Sequence, residues 1–184
     1  QFTSYNPVDG RPEQDSTEVR IWYASDAIYV GVRAWAPQGT VRATLAERDR
    51  IVNDDWIAIQ FDTFNDRRRA FTFAVNPLGV QADGMRSEQS AGPGLSRASL
   101  AVVDLSQDYV WQSAGQLLDD GFSVEARIPF KSIRFQMGDN QDWGFQVVRQ
   151  TQRTGFQDTW APTSRSIQAF SAQAGYLRGM TGMK

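Results

Sequence analysis

The sequence predicts an all-β fold, a two-sheet antiparallel β-sandwich. Three observations carry that expectation. The chain is rich in aromatic residues, with eleven Phe, six Trp and five Tyr among 184 residues, and poor in good helix-forming stretches. Fifteen Gly and seven Pro break it into short runs. About eight of these runs read as strands, at regular spacing with turn punctuation between them. At this length a single domain over residues 1–184 can bury a full core without disulfide or metal staples.

Residues 1–17 lack periodicity and read as an extended leading segment. Val19–Tyr23 and Ala27–Trp35 are predicted strands joined by a turn at Ala24, Ser25 and Asp26. Val19, Ile21 and Tyr23 alternate with Arg20 and Trp22, and Ile28, Val30 and Val32 alternate with Tyr29, Gly31, Arg33 and Trp35. The aliphatic set belongs in the core, and the Arg and aromatic set on the other face can stack as cation–π pairs. Val41–Arg50 is compatible with a short helix or a strand. Trp56–Phe61 and Ala70–Val75 flank the turn-rich segment Asp62–Arg69 and form a hairpin. In its first arm Asp55, Ile57, Ile59 and Phe61 take the core face, while Trp56, Ala58, Gln60 and Asp62 take the more polar one. Residues 84–98 are rich in Gly, Ser and Pro and read as a loop long enough to cover a site. Leu100–Leu105, Val110–Leu117, Phe122–Ile128 and Trp143–Gln150 read as further strands, with a turn at Leu118–Gly121. A turn of helix fits Pro129–Phe135, Asp158–Phe170 is irregular, and Gly175–Met183 closes the chain as a weak strand.

Composition excludes several chemistries. There is no Cys and no His, so disulfides, thiolate zinc sites, Cys nucleophiles and His-based triads are ruled out. A formal charge of −2 gives no general pull toward nucleic acid or an anionic membrane. No apolar run is long enough for a membrane-spanning helix. The basic residues are seventeen Arg and only two Lys, Lys131 and Lys184, and arginine's planar fork suits carboxylate pairing and stacking on aromatic faces. Asp54 and Asp55 are adjacent in an extended segment and point to opposite faces. Glycoside hydrolysis needs two carboxyl groups converging on one bond, roughly 5–9.5 Å apart. Glu125 sits on the polar face of its strand, a structural setting, and Lys131-Ser132 belongs to no nucleophile motif. No catalytic constellation emerges, and the chain reads as a non-enzyme.

The hairpin carries more specific polar positions than a hairpin needs. Asp54, Asp55, Trp56, Asp62, Arg69, Asn76 and Asp83 sit where strands meet loops, which makes this the candidate functional end. Asp54, Asp55, Asp62 and Asp83, with Asn65 and Asp66 nearby, offer oxygen ligands of the kind calcium takes, although their spacing matches no EF-hand. The other reading is of turn carboxylates that cap strands or pair with Arg67–Arg69. Sugar rings stack their C–H faces on aromatic rings and donate hydroxyls to polar side chains. Trp56, Trp111 and Trp160 lie among polar residues and are candidates for such stacking, while Arg69 and Asn76 are candidates for hydrogen bonding. Trp143 precedes a core-like run and reads as buried.

The order TEVRIWYASDAIYVGVRAWAP, RDRIVNDDWIAIQFDTFNDRRRAFTFAVNPLGVQADG, YVWQSAGQLLDDGFSVEARIPFKSIRF and WGFQVVRQ resembles a family 9 carbohydrate-binding module over roughly residues 5–183. It is most similar to the version at the N-terminus of large bacterial envelope proteins, where a long C-terminal region, a membrane β-barrel by expectation, follows. The resemblance implies a sandwich of the jelly-roll type, export to the periplasm or outer membrane, glycan recognition and structural calcium. Asp54 and Asp55 match the family's acidic pair opening a central strand, and Trp111, Arg149 and Trp160 match recurrent positions. The family's initial segment would precede Gln1, and the last residues resemble a junction, so the domain is expected to be excised from a longer chain. Two functions compete. One is a non-catalytic glycan-binding module. The other is a structural or interaction domain that packs on its own C-terminal membrane-associated region or on an envelope partner without binding sugar.

Overall fold

The computed structural model describes residues 1–88, 95–136 and 138–183. Twelve strands run in chain order among them: β1 (Thr3–Asn6), β2 (Thr17–Tyr23), β3 (Ala27–Trp35), β4 (Trp56–Asp62), β5 (Arg69–Val75), β6 (Gln81–Ser87), β7 (Val103–Asp104), β8 (Gln112–Leu118), β9 (Gly121–Pro129), β10 (Gln141–Thr151), β11 (Phe156–Thr159) and β12 (Gly175–Met180). They form two antiparallel sheets. The larger has the order β1-β11-β10-β4-β5-β6-β7, with β12 sharing the β11 edge of β10; the smaller has the order β2-β3-β9-β8. The all-β sandwich is thus observed.

Alternation builds the core between the sheets. Ile57, Ile59 and Phe61 of β4, Phe71, Phe73 and Val75 of β5, and Trp143, Phe145 and Val147 of β10 meet Ile28, Val30 and Val32 of β3 and Phe122, Val124 and Ile128 of β9. Trp143 is buried, as its sequence setting suggests, against the rings of Phe61, Phe130 and Phe135. The outer face of the smaller sheet stays open. Arg33 lies 4.8 Å over Trp35 and Arg127 5.8 Å over Tyr29, the cation–π pairing expected there.

The larger sheet is not open on its outer face. Every residue of β4 is buried. Segment 42–55, residues 95–102 and residues 161–174 lie over that face and form a second apolar cluster of Ile51, Trp56, Ala58, Ala74, Ala82, Leu100, Val148 and Phe170. Small side chains on the strands leave room for the covering segments. Polar ones fasten them: Gln146 donates to Ala161 O and accepts from Ala161 N–H, and Glu88 accepts from the N–H groups of Phe170 and Ser171.

Several elements differ from the sequence reading. Strand β6 runs to Ser87, so the predicted loop at 84–98 starts later, and its positions 89–94 lie outside the described residues. Strand β1 arises in the extended leading segment, β11 runs into the segment read as irregular from Asp158, and 41–50 contains neither helix nor strand. The helical turn expected after Pro129 is a 3-10 turn at Phe130–Ser132.

One buried side chain ties the sheets together, and a buried carboxylate lies beside it. From β10, Arg149 donates to Asp15 O, Ser16 O, Thr17 Oγ1 and Trp35 O at 2.6–3.1 Å, clasping the start of β2 and the end of β3. Asp158 on β11 is its register partner. Burial pushes the Asp158 carboxyl up to about 6; the Arg149 charge opposes that shift and Glu13 adds to it.

Two outcomes are expected. Arg149→Met orphans several buried acceptors, each costing about 1–3 kcal/mol, so urea unfolding should show a loss on the order of 3 kcal/mol. Arg149→Lys should fall between, because one ammonium lacks the planar fork. The folded-state pKa of Asp158 lies above that of an unfolded aspartate, so the folded chain holds this proton more tightly. That stabilisation is complete below pH ~4 and is lost as pH rises through about 6. Asp158→Asn should therefore raise Tm relative to wild type at pH 7 and leave it unchanged at pH 4.

Candidate functional site

The ten residues singled out by sequence do not come together as one site. Asp54, buried at the β4 approach, accepts from Thr44 N–H and Oγ1 and from Asn76 Nδ2, which also donates to Thr44 O. Asn76 Oδ1 accepts from the N–H groups of Leu78 and Val80. These two residues pin segment 42–55 to the end of β5. Asp55 accepts from Arg42 N–H at 3.2 Å and Gln152 N–H at 2.6 Å, and burial raises its pKa against those donors. Asp62 organises the hairpin loop by accepting from the N–H groups of Asp66 and Arg67, at 3.2 and 2.7 Å. Asp83 points inward from β6 and accepts from Arg48, Tyr109 N–H and Trp111 Nε1. All four carboxylates are engaged by N–H donors in separate places, and among the described residues no group of three or more His, Cys, Asp or Glu could hold a metal. These four carboxylates therefore do not converge as one calcium site.

The aromatic candidates are corrected in the same way. Trp56 lies on the polar face of β4, but that face is covered; the ring is 1% exposed, in the cluster with Ile51 and Val148. Trp111 is buried edge-on to Phe73, with its N–H on Asp83. Arg149, 2% exposed, is the clasp described above. Trp160 packs edge-on to Phe145 at 5.2 Å and lies so close to Gly175 that a Cβ there would overlap its ring. Trp56, Trp111, Arg149 and Asn76 are therefore buried framework, not surface a sugar can reach.

Arg69 is the exception. It lines a groove of about 640 Å³ at the tip of the β4–β5 hairpin, within the size range of small-molecule sites. Phe64, Asp66 and Arg69 form one side, Gln107 and Tyr109 another, and Lys131 and Arg134 a third. The fold makes this hollow through specific ties. Asp62 and Asp66 fold the loop, the latter accepting from the N–H groups of Arg68 and Arg69 at 2.8 and 3.2 Å. Asn65 and Arg67 take left-handed backbone, at φ 52° and 58°. That geometry is strained for arginine, which is held by donation to Ala172 O and by the Tyr176 ring. Thr63 Oγ1 donates to Arg134 O and Ser132 Oγ to Val110 O, locking the hairpin and segment 105–111 to the segment after β9.

Within the groove, Tyr109 is half-buried edge-on to Phe71 at 5.4 Å, and its hydroxyl donates to Gln107 Oε1 at 2.9 Å. Burial raises its pKa, the Asp83 charge adds to that, and Arg134 opposes it. Phe64 is 42% exposed. Asp66 is the one carboxylate among the lining residues, so the groove lacks the pair that glycoside hydrolysis needs. Aromatic faces beside amide, hydroxyl, guanidinium and ammonium donors suit a polyhydroxylated ligand. Sequence reading reached Arg69 but missed Phe64, Gln107, Tyr109, Lys131 and Arg134. The scarcity of lysine was the one available signal.

No protein-family model matches this chain, and no curated protein matches it. Solved structures do. A family 9 carbohydrate-binding module from Caldicellulosiruptor kristjanssonii, in complex with cellotriose, aligns with TM-score 0.60 at 15% identity over 98% of this chain and 84% of that one. The same organism's module in complex with glucose gives TM-score 0.61 at 16% identity, covering 98% and 86%. The fold is that of the family 9 carbohydrate-binding modules. A Bacteroides uniformis protein described provisionally as carbohydrate-binding shares this family 9-like fold, with TM-score 0.63 at 14% identity over 97% and 85%.

With every acidic candidate already engaged, calcium has no open set of carboxylate ligands to join. Excess EGTA should leave the Tm within about 1 °C of its value in calcium; a rise of several degrees on adding calcium would reveal a site elsewhere.

Proposed function

We propose that this chain is a non-catalytic carbohydrate-binding module whose ligand lies in the groove at the β4–β5 tip. The observation that carries the reading is the set of side chains lining that groove. Phe64 and Tyr109 offer rings for a sugar's C–H face; Arg69, Gln107 and Lys131 offer hydrogen bonds to its hydroxyls. The family 9-like fold supports it, because the two Caldicellulosiruptor kristjanssonii modules named above hold cellotriose and glucose. With the resemblance of the NDDW and VNPLGVQADG stretches comes the rest of the proposal: export to the periplasm or outer membrane of a bacterium, within a longer chain bearing a C-terminal membrane-associated region.

A second reading, an interaction domain packing on that region or on an envelope partner, is favoured by one observation. Trp22 is 67% exposed on the outer face of the smaller sheet, stacked on Tyr29 at 5.2 Å. An exposed tryptophan on an open sheet face suits a protein partner.

Titration calorimetry with a panel of oligosaccharides, cellotriose included, separates the two. Saturable binding is expected, weakened at least tenfold by Phe64→Ala or Arg69→Ala and unchanged by Trp56→Phe. Binding indifferent to the first two substitutions would move the site elsewhere. Silence across the panel would leave the interaction reading.

A further inference from the structure

We propose that the groove selects acidic saccharides, chains whose sugars carry uronate carboxylates. This rests on the reading that the groove holds a saccharide, and it names the class.

Charge is the first argument. The whole chain has formal charge −2, yet the groove lining carries Arg69, Lys131 and Arg134 against Asp66 alone, which is three positive charges and one negative, or +2. Only two lysines exist in the chain, and one of them is here. The single carboxylate is spent within its own loop. One oxygen accepts from two backbone N–H groups, and the other lies 3.9 Å from the Arg69 guanidinium. It offers an incoming anion little repulsion beyond its bare charge.

The second argument is that these cations are idle. Elsewhere some exposed or half-exposed arginines are matched with carboxylates, Arg20 with Glu18, Arg33 with Asp120, Arg127 with Asp26 and Arg153 with Asp15, while others, such as Arg42 and Arg50, stand scattered on the surface without an ion pair among the described residues. The Lys131 and Arg134 side chains have no hydrogen-bond or ion-pair partner among the described residues, and both are exposed. Like charges gathered on one wall raise the energy of the free protein, and a bound anion relieves it.

The third argument is placement. Lys131 stands on the 3-10 turn Phe130–Ser132, closed by Ile133 N–H on Phe130 O at 3.2 Å. The backbone at Arg134 is fixed by Thr63, and Ser132 is fixed to Val110. The cations therefore stand on anchored backbone along the hollow that Phe64 and Tyr109 also line. A uronate ring resting on an aromatic face would set its carboxylate at the ring's edge, where an ammonium or guanidinium can reach it. Arginine takes such a group with two parallel N–H bonds.

Calorimetric titration of the whole chain with trigalacturonate and with its fully methyl-esterified counterpart tests this. The two probes share their sugar rings and differ at the carboxyl groups, where the ester replaces each charge with a methyl ester. The free acid should bind at least tenfold tighter at low salt, with the gap narrowing to under about threefold in 0.5 M NaCl. Lys131→Gln and Arg134→Gln should each weaken the acid about tenfold and the ester, which keeps the hydroxyl contacts but lacks the charge, by less than about threefold. Arg20→Gln, on the far sheet face, should change neither. Equal binding of acid and ester, or equal losses for both in the two variants, overturns the charge selection while the groove remains a saccharide site. Binding of cellotriose without any of the acid overturns it as well. Failure of every saccharide overturns the underlying reading with it.

Discussion

The larger sheet is buried on both faces, and most other features follow from that constraint. One face packs on the smaller sheet in the usual way of a sandwich. The other lies under three covering segments, so β4 has no exposed residue at all. Covering a sheet face desolvates whatever polar side chains it carries, and each must find a partner. Most of those on this face do so by gripping the covering segments: Asp54 and Asn76 hold 42–55, and Gln146 holds Ala161. The polar residues that look most like a binding site are the bolts of this second layer.

That arrangement explains what could be read from sequence and what could not. Strands β2, β3, β4 and β5 match their alternating runs to within two residues, because alternation directly reports which face meets the core. The two-face split of β4 is also right: Ile57, Ile59 and Phe61 point to the sandwich core, Trp56, Ala58 and Gln60 away from it. The error lay in equating the polar face with solvent. No local pattern encodes that residues 95–102 and 161–174, distant in sequence, fold back over it. Strand β6 escaped notice because its inward position holds Asp83 and its outward one Arg86, which spoils the apolar period. Strands β1 and β11 are too short to show any period, and of the predicted strand Leu100–Leu105 only Val103–Asp104 is strand, after a 3-10 turn at Leu100–Val102.

Asp83 illustrates how a site-like residue becomes architecture. It projects into the space between the sheets, where an isolated carboxylate would be very costly. Arg48, the Tyr109 amide and the Trp111 indole converge on it, and all three donors come from segments that lead toward the smaller sheet or cover the larger one. One carboxylate thus fixes where segment 105–111 crosses from sheet to sheet. Since Tyr109 is part of that segment, the same interaction sets the aromatic wall of the groove. The sequence signature at VQADG and the candidate binding surface are coupled through this buried charge, although Asp83 itself touches no ligand.

With both faces of the larger sheet closed, ligand chemistry is left to the ends of the sandwich and to the outer face of the smaller sheet. The latter carries an open hollow of about 560 Å³ beside Trp22 and Tyr29, and its arginines are matched in pairs, Arg20 with Glu18, Arg33 with Asp120 and Arg127 with Asp26. A hollow with unmatched charge occurs where the β4–β5 loop, the Tyr109 segment and the turn after β9 meet. Three loops from different parts of the chain are locked together there by side-chain to backbone bonds, so their exposed groups can vary without disturbing the core. The covered sheet supplies rigidity and the loop junction supplies chemistry. On this account the tryptophans of the framework say how the domain is built, while Phe64, Tyr109 and three unassuming cations say what it would hold.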